Sequence, residues 1–360
     1  MANTSAHPMP QLSQNDIPFS RPGTPGAHLQ IGWVGLGGMG RPMARNLANF
    51  HGSQHPGSPP VLVWNRTTAK AESLVKEVGE SKARVAQSLS EIAIQCDVVI
   101  CSLGSDDAVK SVYGEFVAAL QANKPTKNKT FVETSTVYPS LAGELDTLVS
   151  SIPHCHLVTS PVCGPPAMAE NGKLILVMSG DYRCKKEVAH LLVPAIGRKV
   201  LDLGGNLEKA PTFKLIANSL VLGSLEVLAE GFTMAEKTGV GRELILDFIK
   251  ELIPAPLLIA YGTKMVNDTF DGSIGFDISG GIKDATHIRR LTQDQNTPMP
   301  ATDVAYQHLL TARALHQAQL ANGEATYQSL DWSALVAGAR VAAGLDGLDS
   351  NKHMGVVKED

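Results

Sequence analysis

Apolar residues follow one spacing in the first part of the chain and another in the second. Leu29-Gln30-Ile31-Gly32-Trp33-Val34 is a short apolar run, and a helical pattern spans Arg41 to Phe50. Val61-Leu62-Val63-Trp64 has the continuous apolarity of a strand buried on both faces, and Thr68 to Val78 reads as a helix. The alternation continues with strands at Asp97–Cys101 and Thr130–Glu133 and helices at Asp106–Leu120 and Pro139–Ser150. Further strands are expected at His156–Val158 and Leu174–Met178. Apolar strands alternating with amphipathic helices predict an α/β domain, doubly wound around a mainly parallel sheet.

Beyond Leu203 the period changes. Phe213 to Lys237 carries apolar residues at helical spacing, interrupted by Gly223 and Gly231. Arg242–Leu252, Pro256–Asn267, Thr302–Asn322 and Trp332–Ala343 also read as helices, and no strand pattern stands out. The second domain is therefore expected to be all α and joined to the first by a long helix. Residues 1–28, rich in Pro, Ser, Asn and Gln, read as a disordered arm. His51–Pro60 reads as a polar insertion, and no internal repeat is evident. The expected boundaries are 29–205 for the α/β domain, 206–345 for the helical domain and 346–360 for a tail.

With 43% hydrophobic and 18% charged residues, the chain is not a disordered one. A net charge of −4 gives no electrostatic reason to expect nucleic acid as a partner. The longest apolar runs are broken by Gly, Pro or charge, so no membrane span is expected. Five scattered cysteines with no C-x-x-C pair fit reduced intracellular thiols. The first 28 residues lack the apolar segment of a secretory signal and a basic amphipathic pattern, so a cytoplasmic setting is expected and a mitochondrial one stays open.

Gly35-Leu36-Gly37-Gly38-Met39-Gly40 is a G-x-G-x-x-G between a strand and a helix. In that context the glycines allow a tight turn and close approach of backbone to a pyrophosphate, whose charge the helix N-terminus stabilises. The second strand ends in Asn65-Arg66-Thr67 where NAD-binding versions carry Asp or Glu. A guanidinium there suits a 2′-phosphate, which favours NADP(H) over NAD. Lys214 and Asn218, four apart, would share one face of a helix. On spacing alone such a pair is ordinarily a solvated face.

Several stretches together resemble the β-hydroxyacid dehydrogenase family, which includes 3-hydroxyisobutyrate dehydrogenase and the glyoxylate/succinic semialdehyde reductases. They are GLGGMGRPMARNL at Gly35–Leu47, WNRT at Trp64–Thr67, ETSTVYP at Glu133–Pro139, SPVCGPPAMAENGKL at Ser160–Leu174, KLIAN at Lys214–Asn218 and KDATHI at Lys283–Ile288. The resemblance covers about residues 29–345 and implies a Rossmann domain, a helical domain and assembly into homodimers or homotetramers through the latter. It implies Lys214 as the acid–base and electrostatic catalyst, with Asn218 orienting the substrate oxygen. It also implies that Lys283 lies near the nicotinamide, supported by Asp284; being adjacent, the two side chains would diverge on a helix. Thr136 and Leu103, at strand ends, would meet the cofactor. Pro161, Val162, Cys163, Gly164 and Asp284 would line the substrate, a small hydroxy acid or its oxo acid or semialdehyde.

The chain also departs from that family. Its substrate loop has Cys163 in place of a serine, and Pro165 and Pro166 remove two backbone donors, which alters the expected carboxylate pocket. Only Gly205 survives of the glycines ahead of the lysine, with Glu208 and Ala210 in the other two places. Two rivals follow: a reductase of imines or of carbonyls lacking an acid group, and a non-catalytic NADP-binding module. Lys214 argues against the imine version, and Lys214, Asn218 and Lys283 together disfavour the non-catalytic module. His154 and His156 would face one way from a strand, but with no third ligand evident no metal is expected. Asp331 reads as a helix cap.

Overall fold

A computed structural model describes residues 16–21, 29–54 and 57–353. β1 (Ile31–Val34), α1 (Gly40–Gln54), β2 (Val61–Trp64), α2 (Thr68–Val78), β3 (Ala83–Val85), α3 (Leu89–Gln95) and β4 (Val98–Cys101) alternate as expected. α4 (Asp106–Ala122), β5 (Lys129–Glu133), α5 (Pro139–Ser150) and β6 (Cys155–Thr159) continue the pattern. β7 (Val162–Cys163), α6 (Pro166–Glu170), β8 (Leu174–Gly180), α7 (Tyr182–Leu192) and β9 (Gly197–Asp202) complete the α/β part. Helices follow: α8 (Lys209–Lys237), α9 (Arg242–Leu252), α10 (Pro256–Val266), α11 (Ile278–Asp294), α12 (Pro300–Asn322) and α13 (Val336–Ala342). A 3-10 turn at Trp332–Leu335 precedes α13, and another spans Ser350–Lys352.

The chain divides into two compact units. The first holds the described residues up to Ser102 together with Val112–Thr134 and Glu144–Ala210. The second holds Leu103–Ser111, Ser135–Gly143 and the described residues from Pro211 onward. Leu103 and Thr136, which a single cut at 205/206 assigns to the Rossmann domain, are thus grouped with the helices.

The strand order of the first unit is β3-β2-β1-β4-β5-β6-β8-β7, with β9 on β8. β1 to β6 pair in parallel, and β8 runs antiparallel to β6 and β7. All four residues of β1 are buried, so both faces of the sheet are covered. A Cβ on Gly32 would lie 2.7 Å from Ile92 and 2.8 Å from Cys96, so the glycine lets α3 pack close to β1.

Several expectations need correction. Residues 1–28 are not wholly an unstructured arm. Asp16 forms a parallel bridge to Lys199 on β9, and Phe19 is 6% exposed within the core. The polar flanks hide one aromatic residue with a socket to fill, where its ring lies edge-on to Tyr182 at 5.6 Å. Residues 1–15 and 22–28 lie outside the described residues. The insertion at His51–Pro60 begins later than expected, because α1 continues through a buried His51 to Gln54. His55 and Pro56 lie outside the described residues. The tail over 346–360 is docked as far as it is described: Ser350 donates its amide to Asp268 at 2.9 Å, and residues 354–360 lie outside. His154 sits at φ +66°, before β6 begins, so it does not share a strand face with His156.

The core of the second unit gathers Leu222, Leu225 and Phe232 of α8, Leu309 of α12 and Trp332, whose ring lies 4.8 Å from Phe276. Asp331, fully buried, caps the 3-10 turn through Ser333 and also accepts from Lys264 at 2.9 Å, so its charge is paired. α8 is long and apolar enough to cross a membrane by length and composition, contrary to the reading that no stretch approaches this. Half of its apolar window is buried within the protein, as befits a core helix.

Candidate functional site

The glycine loop is built from backbone. Gly35 leaves β1 at φ +98°, a conformation that a side chain resists. Its amide donates to Trp64 at 3.0 Å, and its carbonyl accepts the buried Trp33 indole at 2.9 Å. A Cβ on Gly40 would lie 2.2 Å from the Gly35 carbonyl oxygen, so only glycine lets α1 start this close to β1. Gly37 and Gly38 are exposed, and a Cβ on either would meet nothing within 4 Å. Open space over bare backbone at the start of a fifteen-residue helix fits a pyrophosphate.

Asn65 is a brace for this loop. Its Oδ1 accepts the Leu36 amide at 2.9 Å, and its Nδ2 donates to the Thr67 carbonyl at 3.1 Å. Leu36 is buried, and Met39 packs against the core. Arg66 and Thr67 are exposed, and Arg66 pairs with no described residue. Its guanidinium is therefore available to an anion beside the loop.

The expected catalytic residues meet in the second unit. Lys214 and Asn218 lie one turn apart on α8 and are both less than a tenth exposed. The Lys214 ammonium donates to Asn218 Oδ1 at 2.9 Å, and Asn218 Nδ2 donates to Asp284 Oδ2 at 2.6 Å. Asp284 is 1% exposed, and its other oxygen lies 3.2 Å from Lys283 Nζ. Lys283 in turn donates to the Thr136 carbonyl at 2.7 Å. The carboxylate thus fixes the amide with its nitrogen toward α11 and its oxygen toward the ammonium. Two N–H bonds of Lys214 remain for an incoming oxygen.

This geometry changes two expectations. Lys283 and Asp284 do not diverge, because the long lysine stem folds back onto its neighbour. Asp284, expected to bind substrate, has one oxygen on Asn218 and the other beside Lys283.

The expected substrate loop lies in the first unit. Pro161 is buried, and Val162 and Cys163 pair with Leu176 and Ile175 of β8. Gly164 adopts φ +140°, where a Cβ would press on Leu174 at 2.9 Å. Pro165 and Pro166 are the N-cap and first residue of α6, positions where a missing amide hydrogen breaks no helical bond. Among the described residues no group of three metal-ligating side chains is present.

Sequence reasoning passed over Ser135, Asp106, Tyr138 and His287. The Ser135 hydroxyl accepts the Leu103 amide at 2.7 Å, and Asp106 accepts the Tyr138 amide at 3.2 Å. His287 Nε2 stands 3.2 Å from the other Asp106 oxygen. Ser135 and Tyr138 lay within the ETSTVYP stretch and His287 within KDATHI, but no spacing rule tied them to Leu103 or Asp106.

Two families match in succession. Residues 30–205 match the NAD binding domain of 6-phosphogluconate dehydrogenase. Residues 209–328 match the family described as NAD-binding of NADP-dependent 3-hydroxyisobutyrate dehydrogenase. An uncharacterized oxidoreductase of Bacillus subtilis, YfjR, is 28% identical over 86% of this chain and 99% of its own length. Glyoxylate/succinic semialdehyde reductase 1 of Arabidopsis thaliana is 27% identical over 80% of this chain and 93% of its own. The fold is shared with Mycobacterium tuberculosis 3-hydroxyisobutyrate dehydrogenase bound to L-serine, at TM-score 0.68 and 22% identity over 86% of this chain and 98% of that one. The two matched domains, in this order and on this fold, make the chain a member of the β-hydroxyacid dehydrogenase family, an NAD(P)-dependent oxidoreductase of the 3-hydroxyisobutyrate dehydrogenase type.

Proposed function

We propose that this protein uses NADP(H) to interconvert a small hydroxy acid with its oxo acid or semialdehyde, with Lys214 as the acid–base and electrostatic residue. The observation that carries this reading is the buried Lys214–Asn218–Asp284 chain. The nicotinamide cofactor, when bound, gives or takes the hydride. Reduction at a carbonyl carbon puts negative charge on the oxygen. An ammonium held on a rigid helix stabilises that charge and delivers the proton, and in the reverse direction it takes the proton back. Asn218, locked by Asp284, orients Lys214 and offers no competing negative charge. The glycine loop holds the pyrophosphate, and Arg66 at the end of β2 supports NADP(H) over NAD(H). The names of the Arabidopsis and mycobacterial relatives support a small oxo acid or hydroxy acid as substrate.

A second reading, reduction of imines or of carbonyls without an acid group, is favoured only by Cys163 and Pro165 in the substrate loop. We also propose self-assembly through the helical domain. Leu220, Val227 and Met234, seven residues apart on α8, are 69%, 65% and 65% exposed, an apolar stripe suited to a second copy. A reducing, cytoplasmic setting agrees with five free cysteines.

The test is a fluorescence titration with NADPH and NADH, followed by turnover with a panel of oxo acids, semialdehydes, neutral carbonyls and cyclic imines. Tighter NADPH binding with oxidation by an oxo acid or semialdehyde is expected. Turnover of imines above every oxo acid would select the second reading, and binding of neither cofactor would overturn both.

A further inference from the structure

In doubly wound sheets a dinucleotide lies along the carboxyl ends of the strands, at the point where strand order reverses. Here that point is between β1 and β4. β5 pairs with β4, and Ser135–Tyr138 begins just past the carboxyl end of β5 at Glu133. Within the second unit this segment is tied down along its length. Ser135 accepts the Leu103 amide, the Thr136 carbonyl accepts Lys283, and the Tyr138 amide donates to Asp106 Oδ2. The remaining Asp106 oxygen faces His287 Nε2 at 3.2 Å. Lys283 and His287 are one turn apart on α11, so one helix face holds the segment at successive points.

Helix capping does not account for Asp106. Ser105 caps α4 by accepting the Ala108 amide at 3.2 Å, which leaves the Asp106 carboxylate to Tyr138 and His287. The Asp106 and His287 side chains are 23% and 15% exposed, so the pair is more sheltered than an ordinary surface contact. Burial pushes the Asp106 carboxyl up, but the His287 hydrogen bond and charge, the Tyr138 amide and the Lys283 charge together hold it below the ordinary carboxylate value. It is a fixed anion between an amide and an imidazole.

We propose that Asp106 and His287 are a positioning pair for the nicotinamide end of the cofactor, holding Ser135–Tyr138 so that Thr136 and Lys283 keep their places. The inference deepens the cofactor reading above and rests on it.

The test compares NADPH with 2′-phospho-ADP-ribose, which lacks the nicotinamide, by calorimetric titration of wild type, His287→Leu, His287→Gln and Asp106→Asn. His287→Leu is expected to weaken NADPH roughly five- to tenfold, the size of one lost ordinary hydrogen bond, and to leave the fragment within about twofold. His287→Gln, which keeps a donor near the Nε2 position, should restore most of the loss. Should His287→Leu not fold, Asp106→Asn carries the same comparison, since it keeps an acceptor for Tyr138 and removes the charge. Equal weakening of both ligands, or no change in either, overturns the pair. Wild type that binds neither ligand overturns the cofactor reading as well.

Discussion

Between Gly35 and Gly40 the first unit shapes its site with backbone and with the space that missing side chains leave. Around Lys214 the second unit does so with side chains, each held by the next from Lys214 to Asn218, Asp284 and Lys283. The loop tolerates little added volume at Gly40, where the limit is steric. The lysine chain is limited by hydrogen bonds, so substitutions of equal size should break it. The two regions should therefore fail differently, one in binding and the other in turnover.

The largest effect is expected from Lys214→Met, which keeps the stem and removes the ammonium. Turnover should fall by about a thousandfold while NADPH affinity stays within roughly twofold. Steady-state kinetics beside a binding titration reads both. Turnover near wild type would remove the lysine from the mechanism and leave the comparison without its second half.

Gly40→Ala should act on binding. Its Cβ, 2.2 Å from a backbone oxygen, forces the turn to shift, and NADPH affinity should drop roughly thirtyfold, about 2 kcal/mol, with a lowered Tm. Gly37→Ala sharpens the contrast. It meets no protein atom within 4 Å, so Tm should hold while affinity falls. Unchanged affinity in both variants would dissociate the loop from the cofactor.

Arg66→Ser carries the smallest expected effect. NADPH should bind about tenfold more weakly and NADH as before. Equal changes for the two cofactors would place the 2′-phosphate elsewhere.

The same contrast explains what the sequence made legible. The glycine loop is a local device, so strand, turn and helix start could be read from adjacent residues. α5 and α9 were readable to the residue, because Pro139 and Arg242 open clean amphipathic patterns. α3 was missed despite a local signal, Ser88 three residues before Glu91, and the Ser88 side chain does accept the Glu91 amide. α7 and β9 were missed because Arg183, Lys185, Lys186, Arg198 and Lys199 mask their buried faces. The lysine chain is non-local. Asn218 and Asp284 are 66 residues apart, and Lys283 reaches Thr136 across 147. Spacing within one helix could pair Lys214 with Asn218, but no period links two helices and a strand end. For those residues the family resemblance supplied the grouping and the expected roles, and the fold adds the contacts of Asp284 with Asn218 and Lys283 and of Asn65 with the glycine loop.

The short segment around Asp16 decides where this protein can be cut. β9 pairs with β8, and its other edge offers amide and carbonyl groups to any passing strand. Asp16 occupies that edge, donating to Arg198 at 3.0 Å and accepting from Val200 at 2.9 Å, while Phe19 plugs the core beside it. A protein trimmed to start at Leu29 keeps every catalytic candidate, yet it opens a sticky strand and an empty apolar socket together. Such a form should aggregate, whereas one trimmed only before Asp16 should stay dispersed.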